Sequence, residues 1–117
     1  VSMATSDEEL AAGRSKVAAQ LAFYGSTPAY GGVLDHHGYD GLQQRLNGMS
    51  KQGLWREMNN LIDADLIDLL AVTGTPAECG AALATRNSFA DRCLPMFYGG
   101  TRSPEAMSEF AQAYNSA

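Results

Sequence analysis

Residues 75–88, TPAECGAALATRNS, contain the clearest helix start in the sequence. Thr75 is a suitable N-cap, Pro76 fits the first helical position because its missing N–H would have no partner there, and Glu78 completes a capping box. The spacing predicts a helix that extends to about Ser88. Its buried face is expected to carry small and apolar side chains, namely Cys79, Ala82 and Leu83.

Comparable start signals occur along the rest of the chain, each followed by apolar residues at helical spacing. These signals are the capping box Ser6–Glu9, the cap-proline pairs Thr27-Pro28 and Ser103-Pro104, and the single caps Asp40 and Asp63 or Asp65. The helix after Thr27 is short and ends at Gly38. The sequence therefore predicts one mainly α-helical unit over residues 1–117.

Only two stretches have the composition of strands, Val1–Thr5 and Cys93–Tyr98. Pro95 removes one backbone donor, which suits an edge strand or a strand end. Two strands do not form a stable sheet by themselves. The expected fold is thus α-rich, with two strand stubs that have no obvious neighbours.

Composition and charge restrict the possible functions. The chain has 117 residues, 45% of them hydrophobic, which suits one compact unit with a core. Eight scattered Lys and Arg face 13 Asp and Glu, a net charge of −5, and this balance argues against nucleic acid as a partner. The longest uncharged stretch, Val17–Leu34, is interrupted by glycines and a proline, so no membrane span is expected. Without an export signal, we expect a cytoplasmic protein with reduced Cys79 and Cys93.

The sequence contains no recognisable catalytic or metal-binding motif. Phosphate-loop, Cys-x-x-Cys, His-Glu-x-x-His and Gly-x-Ser-x-Gly patterns are all missing. The one ionisable cluster is Asp35-His36-His37, but neighbouring helical side chains diverge by about 100°, which disfavours a shared metal ion. A helix C-terminus or a polar loop contact is the simpler interpretation, and a substrate-pocket role for one histidine stays open. We predict no catalytic residue and no metal ligand.

Several aromatic and acidic residues have both a functional and a structural interpretation. Phe23, Tyr24, Tyr30 and Tyr39 surround the short second helix, where they either line a pocket or pack a loop onto the core, and packing is the commoner outcome. Three aspartates, Asp63, Asp65 and Asp68, mark a helix start and a solvated face. Nothing in the sequence predicts the raised pKa that paired-carboxylate catalysis requires.

The order of the motifs resembles the luciferase-like monooxygenase superfamily, and most closely its deazaflavin-dependent oxidoreductase branch. The similarity covers about Ser6 to Tyr98. It is carried by Phe23–Tyr30, Val33-Leu34, His37-Gly38, Leu46–Gly53, Trp55–Met58, Leu61–Asp63, Ala71–Glu78 and Arg92–Tyr98. This chain has two adjacent histidines, His36 and His37, where relatives usually carry one, and Gly38 assigns the family position to His37.

The resemblance implies a C-terminal fragment of a (β/α)8 TIM barrel in which helices dominate. Val1–Thr5 would end the seventh strand and Arg92–Tyr98 would be the eighth. This chain would then be the C-terminal third of a barrel of about three hundred residues, in the usual size range of that fold. A cut barrel accounts for two strands without neighbours.

By the same resemblance, the parent family transfers a hydride or activates oxygen on FMN or on a deazaflavin of the coenzyme F-420 type. Its ring-binding and catalytic groups lie mostly on early strands that this chain lacks, so the chain alone is expected to bind no cofactor and to catalyse no reaction. The residues that transfer form a supporting wall of the substrate pocket, namely Tyr24, Ser26, Thr27, Tyr30 and His37.

Two hypotheses remain for the function. The first is the fragment of a flavin or deazaflavin oxidoreductase, whose bare apolar face is expected to drive formation of a homodimer or a higher oligomer. The second is a free-standing helical module that binds a protein partner and has no enzymatic activity, with a bundle core of Leu21, Trp55, Leu61, Leu70 and Leu83. A small-ligand-binding helical domain around the tyrosines is a third possibility.

Overall fold

A computed structural model describes all residues, 1–117. Seven α-helices and two short strands follow one another along the chain, and two short 3-10 turns lie at Pro28–Tyr30 and Asn59–Leu61. The strands are β1 (Ser2–Met3) and β2 (Thr73–Gly74). The helices are α1 (Asp7–Gly25), α2 (Gly31–His36), α3 (Leu42–Lys51), α4 (Trp55–Met58), α5 (Ala64–Leu70), α6 (Pro76–Arg86) and α7 (Pro104–Ser116). The prediction of a mainly helical fold with two short strands is confirmed. None of the helices combines the length and the apolar character that crossing a bilayer requires.

The two strands pair in parallel, with Ser2 opposite Thr73 and Met3 opposite Gly74. The Ser2 amide donates to the Val72 carbonyl at 2.9 Å, and the Ala4 amide donates to the Gly74 carbonyl at 2.8 Å. The strand predicted at the start of the chain is therefore present. β2 is a strand that the sequence did not predict, because two residues ending in glycine lack the run of four or more apolar residues that indicates a strand.

The predicted strand Cys93–Tyr98 is wrong as a strand, since this segment has no regular secondary structure. It nevertheless runs beside β1. The Val1 nitrogen donates to the Met96 carbonyl at 2.8 Å, and the Tyr98 amide donates to the Val1 carbonyl at 2.9 Å. This is the bond pattern of one parallel residue pair. The regular pairing is interrupted at Gly99 and Gly100, which have φ of 64° and 67°, but the chain stays beside β1, where the Thr101 amide donates to the Met3 carbonyl at 2.8 Å.

The chain divides into two compact units. Unit 1 consists of Val1–Val17 and Asp68–Ala117, and it contains both strands, α6 and α7. Its core is formed by buried apolar side chains from the strands and these two helices: Met3, Val72, Cys79, Leu83, Ala106 and Phe110. Gly80 lies against the Phe110 carbonyl and leaves room for no larger side chain. Close contact between α6 and α7 therefore depends on this glycine.

Unit 2 consists of Ala18–Ile67 and contains helices and turns but no strand. Leu46 and Met58 are completely buried, and Leu34, Ile62 and Leu66 pack into the same unit's interior. The end of α1 comes close to α3, since a Cβ at Gly25 would lie 3.0 Å from the Leu46 side chain. Unit 2 is thus a small helical cluster with its own apolar centre.

The predicted helix starts are mostly confirmed. Thr75 and Glu78 form the complete capping box, Ser103 accepts from the Ala106 amide at 3.1 Å, and Asp63 accepts from the Leu66 amide at 2.8 Å. The predictions of Thr27 and Asp40 as caps are wrong, since the Thr27 side chain makes no capping hydrogen bond and Asp40 does not cap α3. The residue before α3 is Gly41, whose φ of 80° positions the chain without any side-chain cap.

The predicted buried faces need three corrections. Cys79 and Leu83 are buried as expected, but Ala82 points away from the core and is exposed. Trp55 and Leu70, which the bundle hypothesis placed in a core, are also exposed. α4 and α5 are short helices of four and seven residues, so a helical period extrapolated through them assigns some apolar residues to the wrong face.

Candidate functional site

A cavity of about 330 Å³ opens beyond the carboxyl ends of β1 and β2. Its lining comes from the residues that follow the two strands: Ala4, Thr5, Ser6, Asp7, Leu10, Thr75 and Glu78. Folds with parallel strands generally bind their ligands at this end, because the loops and helix N-termini converge there. By position, this cavity is the first candidate site in unit 1.

Backbone N–H groups at the helix starts around this cavity already donate hydrogen bonds to side chains of the chain itself. The Ser6 hydroxyl accepts from the Glu9 amide at 3.1 Å, and the Thr75 hydroxyl accepts from the Glu78 amide at 3.3 Å. The Thr75 amide donates to Glu78 Oε2 at 2.8 Å, and the Thr5 amide donates to Glu9 Oε2 at 2.9 Å. Donors that commonly hold an anion at a helix N-terminus are thereby occupied.

The charge of the cavity follows from the same contacts. Hydrogen bonds from the Thr75 backbone, and secondly from its side chain, lower the pKa of the Glu78 carboxyl. Glu78 is therefore ionised at neutral pH. Asp7 adds a second carboxylate, and no basic side chain lines the cavity. The lining favours neutral or cationic groups over anions.

Four of the five predicted pocket residues lie close together in unit 2, at the end of α1 and in the turn after it. The Tyr24 and Tyr30 rings meet edge to face with their centroids 5.9 Å apart, and both are exposed. Thr27 precedes Pro28 and is exposed, but its side chain makes no capping hydrogen bond. The turn therefore presents two aromatic rings and one free hydroxyl to solvent.

Ser26 has a structural role in this turn. Its hydroxyl donates to the Phe23 carbonyl at 2.7 Å, and the residue is buried. Its own carbonyl accepts from the Gln43 amide group at 3.0 Å and from the Asn47 amide group at 3.1 Å. These bonds tie the turn to α3, so they determine where Tyr24 and Tyr30 are held.

His37 is the fifth predicted residue and lies at the C-terminal end of α2, where it is exposed. Its ring contacts the His36 ring, with the two centroids 4.9 Å apart, and the structure shows no ring contact between His37 and the tyrosines. The histidine pair therefore lies at a helix C-terminus, as one of the predicted interpretations placed it. No three His, Cys, Asp or Glu side chains come together in a group that could hold a metal ion.

An exposed aromatic strip in unit 2 was not predicted as such. Phe23 contacts Trp55 with the ring centroids 6.1 Å apart and Tyr24 with centroids 5.6 Å apart, and Tyr24 continues the strip to Tyr30. Beside Trp55 is a groove of about 370 Å³ lined by Ala19, Ala22, Trp55, Arg56 and Asn59. The sequence features that could have indicated this groove are two alanines one helical turn apart, Ala19 and Ala22, and the single tryptophan, Trp55. Trp55 was predicted to lie in the core instead.

The two cysteines are free, and Cys79 is completely buried in unit 1. Burial is the main cause that raises the pKa of the Cys79 thiol to about 11, and the sulfur lies 3.8 Å from the Ser2 carbonyl. A thiol in this state is a poor nucleophile at neutral pH. The interpretation of Cys79 as a core residue is confirmed.

The segment 93–98 presents apolar side chains on both of its faces. Cys93 and Phe97 pack against the core of unit 1, whereas Leu94 is 92% exposed and Met96 is 65% exposed. Phe89, shortly before the segment, is 85% exposed. An extended segment that is apolar on both faces is typical of a parallel sheet covered on both sides. In this chain one of the two faces is bare.

Comparison with known proteins finds relatives but no established function. No protein-family model matches the chain, and no solved structure matches it. The uncharacterized protein Rv1360 of Mycobacterium tuberculosis (strain ATCC 25618 / H37Rv) is 40% identical over 103 residues, which are 87% of this chain and 30% of the relative. The uncharacterized protein Mb1395 of Mycobacterium bovis matches with the same identity and coverage. The chain therefore spans about 30% of the length of the curated relatives it matches.

Proposed function

We propose that this chain is the C-terminal portion of a luciferase-like flavin- or deazaflavin-dependent oxidoreductase of the monooxygenase superfamily, and that it is inactive alone. The observation that carries the proposal is the alternation of extended and helical segments around one parallel pair. β1 is followed by helices, β2 by α6, and the segment 93–98 by α7. This alternation is the repeating pattern of α/β barrels.

One feature of the topology differs from a closed barrel. β2 falls between the two segments that the resemblance makes strands seven and eight, Val1–Thr5 and Arg92–Tyr98, so these two cannot be consecutive strands of a barrel. Consecutive strands of a barrel are neighbours, so the segment 93–98 would lie beside β2. Here its hydrogen bonds go to Val1, on the other side of β1. The barrel proposal therefore requires that this segment pairs along β2 in the longer protein. Its face with Leu94 and Met96, bare in this chain, would then be covered.

The cofactors implied by the resemblance, FMN and a deazaflavin of the coenzyme F-420 type, are anionic. The cavity beyond β1 and β2 does not fit an anion, because it is lined by Asp7 and Glu78 and its helix donors are occupied. This supports an inactive isolated chain, whose cofactor would need groups from elsewhere in a longer protein. Under this proposal, the predicted pocket residues of unit 2 keep only a supporting role.

The proposal includes self-association of the isolated chain into a homodimer or a higher oligomer. It is supported by the bare apolar side chains of Phe89, Leu94 and Met96, since exposed patches of this kind favour burial against another surface. Light scattering should give at least twice the monomer mass, and the double variant Leu94→Glu/Met96→Glu should be a monomer. A monomeric parent chain would contradict this part of the proposal. A cytoplasmic location also belongs to the proposal, supported by the two free thiols.

The main experiment compares this chain with the full-length Mycobacterium tuberculosis relative. Both are titrated with FMN and with a deazaflavin of the coenzyme F-420 type, and cofactor fluorescence is measured. We expect saturable binding by the relative and none by this chain. Binding by this chain alone would overturn the claim of inactivity, and a relative that binds neither cofactor would overturn the oxidoreductase assignment.

The second candidate function is a helical protein-interaction module without enzymatic activity. It is favoured by unit 2, which consists of helices and turns and exposes the aromatic strip Phe23, Tyr24, Tyr30 and Trp55. Aromatic side chains are enriched among the residues that dominate binding between proteins. A structure of the full-length relative separates the two candidates: pairing of the segment equivalent to 93–98 along β2 in a closed barrel supports the oxidoreductase, and a separate helical domain supports the module.

A further inference from the structure

We infer that the groove lined by Ala19, Ala22, Trp55, Arg56 and Asn59 binds a small aromatic compound that carries an acidic group, a carboxylate or a phosphate. The groove lies entirely within unit 2 and includes no strand residue. The inference is therefore independent of the proposed oxidoreductase and of its cofactor. It assigns unit 2 a ligand of its own.

The shape of the groove results from two small side chains facing a short helix. Ala19 and Ala22 are three residues apart on α1, so they lie on the same face and leave space above the helix. α4 forms the opposite wall. Met58, which is completely buried, anchors that helix in the core of unit 2. A volume of about 370 Å³ is at the lower end of the range for small-molecule sites and suits a compound of one or two rings.

Trp55 provides the aromatic surface of the groove. Its side chain is 49% exposed, and the Phe23 ring packs beside it at 6.1 Å with an interplanar angle of 36°. This contact supports the indole in one position and leaves part of it accessible. An aromatic ring entering the groove would exchange exposed apolar surface for ring contacts, which favours an aromatic over an aliphatic ligand.

Arg56 provides the charge. It is the only charged residue that lines the groove, and its guanidinium makes no hydrogen bond or ion pair, although the chain has 13 acidic residues. Asn59 lies three residues further along, on the same side of the turn, and its amide group is also unengaged. Together they present a cation and a neutral donor next to an aromatic wall. Guanidinium groups form bidentate hydrogen bonds with carboxylates and phosphates, so the complementary ligand is an anion.

The binding experiment uses Trp55 as its reporter, since it is the single tryptophan in the chain. The indole N–H resonance is followed by proton–nitrogen NMR while phenyl phosphate or benzoate is added. Benzyl alcohol and inorganic phosphate serve as comparison compounds, because the first lacks the charge and the second lacks the ring. We expect a saturable shift with the two aromatic anions and binding at least about tenfold weaker with either comparison compound, as loss of one charge-assisted contact predicts.

Two matched pairs of variants test the two walls of the groove. Arg56→Gln should weaken phenyl phosphate binding about tenfold, whereas Arg45→Gln, at an exposed arginine on α3, should leave it unchanged. Ala19→Leu should fill the groove and abolish binding, whereas Ala11→Leu, at an exposed alanine on α1, should not. All four positions are exposed, so circular dichroism should show folded variants.

Three results would overturn the inference. The first is no saturable shift of the Trp55 resonance with either aromatic anion. The second is benzyl alcohol binding as tightly as phenyl phosphate, which would show an apolar groove without a role for Arg56. The third is an equal loss of binding in Arg56→Gln and Arg45→Gln, which would indicate attraction by overall charge instead of a site.

Discussion

The two units of this chain start their helices in different ways. In unit 1, Ser6, Thr75 and Ser103 each accept a backbone hydrogen bond at a helix start, and two of these three starts follow directly on a strand. In unit 2, α2, α3 and α4 begin without any side-chain cap, and only α5 has one, from Asp63. Local sequence therefore specifies helices in unit 1, whereas packing specifies most of those in unit 2.

The bare surfaces of the units differ in the same way. Unit 1 exposes aliphatic and aromatic side chains next to an incomplete parallel pair, at Phe89, Leu94 and Met96. Unit 2 exposes aromatic rings that contact one another and border a groove with an unpaired arginine. The first surface has the apolar composition of a sheet face that is normally covered, and the second is rich in the aromatic side chains that are enriched at binding surfaces.

The largest expected effect is the loss of core packing in unit 2. Leu46 is completely buried at the centre of this unit, so Leu46→Ala should lower the free energy of unfolding by about 2–5 kcal/mol. Leu94→Ala is the matched control in unit 1: because that residue is 92% exposed, it should change stability by less than about 0.5 kcal/mol at a protein concentration at which the chain is monomeric. Urea denaturation followed by circular dichroism measures both. Equal effects would mean that packing does not hold unit 2 together as argued.

Two glycines give the next comparison. A Cβ at Gly80 would collide with the Phe110 carbonyl and lie 2.9 Å from the Ala113 Cβ, so Gly80→Ala should destabilise the contact of α6 and α7 by about 1–3 kcal/mol. At Gly48, inside α3, a Cβ would meet nothing within 4 Å. Gly48→Ala should therefore stabilise the protein by about 0.5–1 kcal/mol, because alanine favours a helix over glycine. Thermal denaturation should shift the two midpoints in opposite directions.

Two threonines that both precede a proline test the difference in capping. Thr75→Ala removes a hydroxyl that accepts from the Glu78 amide and should cost about 1 kcal/mol. Thr27→Ala removes a hydroxyl with no capping bond, and the expected change in the free energy of unfolding is within about 0.5 kcal/mol. Chemical denaturation of both variants measures the difference. Similar costs would show that the cap-and-proline pattern stabilises both starts equally, against the contacts seen here.

These contacts also show what could be predicted from the sequence. Thr75, Ser103 and Asp63 were predicted as caps because their partners lie three residues away, within reach of a local pattern. β2 and the groove beside Trp55 were missed because each depends on residues far apart in the chain. β2 is defined by Ser2 and Met3, some seventy residues earlier, and the exposure of Trp55 is defined by how α4 packs. The aromatic turn at Tyr24 and Tyr30 was found because its residues are adjacent.

The smallest expected effect is a pH dependence of the capping box in unit 1. The pKa of the Glu78 carboxyl is lower in the folded chain than in the unfolded chain, because the folded carboxylate accepts hydrogen bonds from Thr75. Its stabilising contribution is therefore complete above the unfolded pKa and is lost as the pH falls through the folded pKa. Glu78→Gln should consequently make stability fall less steeply on acidification below about pH 4.5, the value for an unperturbed glutamate.

Glu109→Gln is the control for this measurement, since Glu109 is an exposed glutamate inside α7 and its carboxylate accepts no hydrogen bond at a helix start. Urea midpoints of the parent chain and the two variants, measured between neutral pH and about pH 3, give the slopes to be compared. If Glu78→Gln and Glu109→Gln reduce the loss of stability at acidic pH equally, removal of one negative charge is enough to explain the effect. If only Glu78→Gln reduces this loss, the acid sensitivity comes from the capping-box hydrogen bonds at the start of α6. Most helices of unit 2 have no such bonds.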